Sequence, residues 1–158
     1  MRQEIIQTLI WIFIIAVLLN YPWELAQGPL YVGMETYNTG VLWHCFVASL
    51  GDGVMVLLIV AVGRVFFGRW DWFERPRVGE YLLMLTTGSV FAVVVEIVAV
   101  HILGRWQYTV RMPTLPGLAI GMVPVAQMLI LPPLIFRIAV KIYSKPRRRL
   151  EKFTLDHR

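Results

Sequence analysis

The chain has 158 residues, 58% of them hydrophobic, with a net charge of +5 and a mean hydropathy of +0.65. Ordinary soluble domains are roughly 45 to 50% apolar, so the composition excludes a soluble enzyme and points to a bilayer as solvent. The lone Cys45 excludes an intrachain disulfide and any redox chemistry that needs two cysteines in one chain.

Four apolar stretches, residues 5–21, 41–67, 81–103 and 116–136, each approach the ~20 residues that cross ~30 Å of hydrocarbon. They account for nearly the whole chain, which predicts one domain and no separate extramembrane module. The first stretch follows Arg2 as a secretory signal would. No small-x-small site follows it, and Tyr21, Pro22 and Trp23 stand in its place, so a retained helix is expected.

Charge then orients the helices. Arg64, Arg69, Arg75 and Arg77 cluster between the second and third, and Lys145, Arg147, Arg148, Arg149 and Lys152 belong to a basic tail over 141–158. The first connection has no Lys or Arg, and the third has Arg105 and Arg111. By the positive-inside rule both termini and the middle loop are cytoplasmic, in an inner membrane of bacterial type. The tail is expected on anionic headgroups, and nucleic acid is not expected as a partner.

Aromatic residues mark the interfaces, with Tyr21, Trp23, Tyr31, Trp43, Trp106 and Tyr108 outside and Trp70, Trp72 and Tyr81 inside. The stretch "GRWDWFERPRVGEY" reads as an amphipathic segment along the inner surface. In the fourth helix Pro124, Pro132 and Pro133 remove backbone donors, and Gly117 and Gly121 offer a small-xxx-small contact. No internal repeat is found, which counts against a repeat-built transporter.

Ionisable side chains in a bilayer cost about 2.5 to 3.5 kcal/mol each, so buried acids are the candidates for function. At ~1.5 Å per residue Asp52 lies roughly 13 Å inward of Trp43, and Glu96 roughly 11 Å inward of Leu103. They share a depth, and Glu24 lies at the outer boundary above them. His44 and His101 sit near that boundary on neighbouring helices. Each has an ordinary alternative: Glu24 as an interfacial carboxylate beside Arg105 or Arg111, the histidines as interfacial hydrogen bonders, and Cys45 as a packed thiol.

Two acids at one depth in a low-dielectric site cannot both stay ionised without a cation. The expected arrangement is therefore an acid/base pair, suited to adding and removing protons on an apolar molecule. On this reading Asp52, Glu96 and Glu24 are catalytic, and Trp23, Trp43, Trp106, Tyr108 and Gln127 bind a lipid, isoprenoid or quinone-like substrate. A second reading makes His44 and His101 ligands of haem or a transition metal, although no HxxxH, ExxH or CxxCH spacing accompanies them. Proton-coupled transport is a third, which would need a homo-oligomer to enclose a path. The remaining alternative is an accessory subunit whose buried polar groups meet a larger membrane complex.

Residues 104–127, with the motif G-x-W-x-Y-x-x-x-M-P-x-x-P-G over "GRWQYTVRMPTLPG", resemble uncharacterised small multi-pass bacterial membrane proteins. That resemblance implies no activity. An intramembrane Glu ahead of G-x-W-x-Y is also similar to carotenoid-cyclase membrane segments, but the paired acids of those enzymes are missing, so no catalytic residue is carried over. The expected fold is an all-α membrane protein, four transmembrane helices in an antiparallel bundle.

Overall fold

An apolar chain in lipid must satisfy its backbone within each segment, and the apolar runs do so as helices. The computed structural model describes residues 2–156, with side chains over 3–142. Helix α1 spans Arg2–Gln27, α2 Thr39–Phe67, α3 Val78–Glu96 and α4 Met122–Asp156. Four stretches, Gln3–Leu30, Thr39–Phe67, Val78–Ile102 and Met122–Ile142, are long and apolar enough to cross a membrane. The described residues contain two isolated bridges, Tyr31 with Tyr108 and Thr114 with Gly121, and no extended strand. The side chains of the basic tail beyond Ile142 lie outside the described residues.

The helices pack in a ring, α1 against α2, α2 against α3, α3 against α4, and α4 back onto α1. Successive helices run antiparallel. Residues late in α1 and α3 meet residues early in α2 and α4 at one end, called here the upper end, where the 31–38 and 103–121 loops also lie. At the lower end the core joins Ile12 and Ala16 of α1, Ile59 and Val60 of α2, Met84 of α3, and Ile135 and Phe136 of α4.

Local chemistry sets the helix ends. Asn38 caps α2, its Oδ1 accepting from the Val41 N–H at 3.1 Å. Gly68 closes α2 in the left-handed region at φ 72°, where its N–H donates to the Arg64 carbonyl. Helix α1 runs past the expected end at Tyr21 and carries Glu24 and Gln27 within it, because Pro22 is accommodated inside the helix. Helix α4 starts at Met122, six residues later than expected. Pro113, Pro116 and a left-handed Gly117 at φ 82° hold residues 113–121 as loop. Gly117 and Gly121 therefore form no helix contact. The close approach of α3 to α4 occurs at Gly88, where an added Cβ would lie 2.6 Å from the Met128 carbonyl oxygen.

The segment after α2 also departs from its expected surface position. Trp72 and Phe73 turn into the lower end and are buried, Trp72 completely, with its indole N–H donating to the Val60 carbonyl at 3.1 Å. Gly63 makes the space, since a Cβ there would lie 2.1 Å from the indole ring. Trp72 meets Phe136 edge-on at 5.9 Å, and Phe73 lies 5.1 Å from the same ring. Aromatic contacts of this kind add about 0.5 to 1.5 kcal/mol beyond area burial.

Candidate functional site

The upper end is built differently, from polar side chains that successive helices aim at one point. On α1, Asn20, Glu24 and Gln27 recur at spacings of three and four, so they share a face. That face looks at Gln127 of α4, which is buried. The Gln127 amide nitrogen donates to Asn20 Oδ1 at 2.7 Å, Asp52 Oδ2 at 2.8 Å and Glu24 Oε1 at 3.1 Å. One amide has two hydrogens, and here it faces three acceptors. Gln27 adds a second donor, its Nε2 lying 2.7 Å from Glu24 Oε1 and 3.3 Å from Gln127 Oε1.

Asp52 reaches this point because α1 and α2 approach closely beside it. Gly53 packs on the Phe13 ring, which a Cβ at 53 would meet at 2.9 Å. The Glu24 and Asp52 carboxyl groups stand within hydrogen-bonding reach of each other. Neither carboxyl group forms an ion pair among the described residues, although His44 and Arg105 border the same cavity.

The third acid is held separately. After Glu96 the helix widens into a π-helical turn over Ile97–Ile102, and the Leu103 N–H donates five residues back to the Val98 carbonyl. A left-handed Gly104, φ 58°, then returns the chain over the bundle. This brings the Tyr108 hydroxyl onto Glu96 Oε2, where it donates, while the Gly121 N–H donates to the same hydroxyl at 2.9 Å. The Trp106 indole borders the Glu96 and Tyr108 pair. Burial, and after it the Glu96 carboxyl, pushes the Tyr31 and Tyr108 phenols well above the ordinary tyrosine range.

The two loops at this end are stitched together. The Val32 N–H donates to the Gln107 carbonyl and the Thr109 N–H to the Leu30 carbonyl, both at 2.9 Å. Tyr31 packs against Trp106 and Tyr108 at 6.2 and 5.7 Å. Beneath this roof lies a cavity of about 520 Å³, with Glu24, Asp52, Glu96 and Gln127 in its wall. Its volume falls within the roughly 300 to 1,000 Å³ of small-molecule sites.

The expected residues therefore divide. Glu24, Asp52, Glu96, Gln127, Trp106 and His44 line the cavity, and Tyr108 supports it through Glu96. Trp23 packs on the apolar core, and Trp43 is 65% exposed, its ring tilted against Phe46 at 5.7 Å. The histidines are not brought to one place. His44 is in the cavity wall, whereas the His101 Nε2 lies 3.1 Å from the Leu118 carbonyl on the outside. Among the described residues no three His, Cys, Asp or Glu side chains group as a metal site.

The pairing of the acids is a further difference. Glu24, expected above the pair, is hydrogen-bonded with Asp52 through Gln127, and Glu96 pairs with Tyr108. Depth along a helix could not reveal this, because it leaves the direction of each side chain undetermined. Tyr31 as roof and Met55 and Val95 as wall went unread for a related reason, since aromatic and apolar residues at helical spacing carry no signal of a cavity. No protein-family model, curated protein or solved structure matches the chain, so a functional reading has to come from this geometry.

Proposed function

We propose that the protein is a multi-pass enzyme of an inner membrane, with both termini cytoplasmic and the cavity in the outer half, moving protons on a lipid-like or isoprenoid molecule. The observation that carries this reading is the pair of carboxyl groups, Glu24 and Asp52, bound to one amide in the wall of a cavity otherwise dominated by apolar side chains. Carboxyl groups so close attract each other only through a shared proton, and such a pair is a proton donor. Glu96, on the facing wall, supplies an acceptor, with the Tyr108 hydroxyl holding its carboxyl in place. Donation to one substrate atom and removal from a neighbouring one leaves the substrate's composition unchanged, as in the shift of a double bond. No oxidant or reductant is required.

Transport across one protomer is less well supported, because the centre of the lower half is filled by apolar side chains from Ile12 to Phe136, with the polar Tyr81, Arg137 and Lys141 on a separate cavity beside it. The orientation rests on the arginines of the 68–77 loop, all at the lower end.

The test is deuterium exchange. The purified protein, with total lipid extract in nanodiscs, is incubated in D₂O and the extracted lipids are analysed by mass spectrometry. Wild type should introduce carbon-bound deuterium into one lipid class, and Asp52→Asn and Glu24→Gln should each reduce that at least a hundredfold, the lower end of what general acid/base catalysis supplies. Exchange that persists in both variants, or that no lipid class shows, would sink the reading.

A further inference from the structure

The cavity is closed above by the joined loops and behind by the end of α1, the turn at Gly28 and α4, with Gln27, Gly28, Gln127 and Met128 buried in its wall. Its exposed wall lies elsewhere. Val47 and Gly51 of α2 and Val95 of α3 all line the cavity, and all three are exposed on the flank of the bundle, Val47 by 47% and Val95 by 39%. Nothing stands within 4 Å of where a Gly51 Cβ would be. The open side is therefore the seam between α2 and α3, and it faces sideways at the height of the Asp52 turn.

A second observation concerns the ligand's head. Gln27 is 4% exposed, its Nε2 is committed to Glu24, and its Oε1 has no hydrogen-bond partner while its side chain lines the cavity. A buried acceptor left empty is destabilising, and a ligand that donates a hydrogen bond would relieve it. Glu24, which its Nε2 meets at 2.7 Å, and Asp52 stand in the same part of the cavity wall. An anionic head would meet two carboxyl groups there, whereas a hydroxyl meets groups that accept from it. Arg105 and His44 also border the cavity, and both residues are exposed, whereas Gln27 and Asp52 are buried.

We infer that the cavity draws its ligand sideways from the bilayer through the seam between α2 and α3, and that the ligand is a neutral, hydroxyl-headed amphiphile of the prenol or quinol class. The hydroxyl donates to Gln27 Oε1 beside the Glu24 and Asp52 pair, and the apolar chain leaves past Gly51 and Val95 into lipid. This refines the substrate class of the proposed enzyme and rests on that reading for what happens to the ligand, but not for its binding.

The experiment uses a C20 prenyl alcohol carrying a tail diazirine, in nanodiscs holding the full-length protein. Irradiation should label peptides of α2 around Gly51 and of α3 around Val95. Gly51→Phe, which fills the open space at the seam, should lower labelling at least tenfold with an unchanged unfolding temperature, and Gly51→Ala should lower it little. The unlabelled alcohol should compete about tenfold better than its methyl ether, which cannot donate, and better than its diphosphate. Labelling that ignores Gly51→Phe would overturn the lateral route, and equal competition by the ether or the diphosphate would overturn the hydroxyl head. Deuterium exchange separates the two readings: a wild type that labels as expected but exchanges nothing leaves this inference standing and the enzyme reading defeated.

Discussion

The two ends of the bundle solve the same problem in opposite ways. At the lower end the centre of the bundle is filled by apolar side chains, with Trp72 seated against Gly63 and Phe136, and a second cavity of about 400 Å³ is left beside Phe73, Met84 and Phe136. At the upper end the same helices aim Asn20, Glu24, Gln27, Asp52 and Gln127 inward, and these bond to one another without filling the volume. The contrast teaches that rigidity and capacity are separated along the helix axis. A packed end holds the helices, and that leaves the other end free to keep a cavity and the desolvated acids that a cavity needs.

The comparison can be broken at its packed end first. Trp72→Ala should cost about 3 to 5 kcal/mol, as large aromatic truncations in cores do, and should lower the unfolding temperature in detergent more than any single change in the cavity. A small loss would mean that the indole is dispensable and the lower end is not the anchor. At the cavity end Gln127→Leu removes the donor shared by three acceptors and should cost roughly 1 to 3 kcal/mol, read in the same assay. If Gln127→Leu proved harmless, the hydrogen-bonded cluster would have no structural weight.

A pH series sharpens the contrast further. The folded Tyr108 phenol ionises above the free value of about 10, so its contribution is complete below that pH. It is lost as the pH rises through the folded value, because the unfolded chain releases the proton first. The stability gap between wild type and Tyr108→Phe should therefore be constant up to about pH 10 and shrink above it. A gap unchanged at higher pH would remove Tyr108 from the roof's support. The smallest effect is expected for Asp52→Asn, which keeps an acceptor for Gln127 and removes an acid from a buried site. Its stability should lie at or above that of wild type, by no more than about 1 kcal/mol, although the proposed exchange is lost.

Four apolar runs, the polar exceptions within them and the sorting of arginine between loops were all legible in the residues, because burial in lipid leaves few ways to satisfy a backbone. Glu24, Asp52, Glu96 and Gln127 stood out for the same reason, as groups too costly to face hydrocarbon. The loop over 113–121 was readable in part, from prolines and glycines that resist a helix, yet the apolar residues between them mimicked one.

Composition and local pattern thus gave the number of helices long and apolar enough to span a membrane, their positions to within about two turns at Gln27 and Met122, and the acids that turn inward. The tertiary structure alone brings Glu24 to Asp52 through Gln127 and Glu96 to Tyr108, seats Trp72 inside the bundle instead of on it, and leaves exposed residues of α2 and α3 in the cavity wall. The reason is physical. Helix formation and depth depend on local composition, whereas pairing and voids depend on rotation about each helix axis, which is set by contacts such as Gly63 with Trp72 and Gly88 with Met128 between segments far apart in the chain.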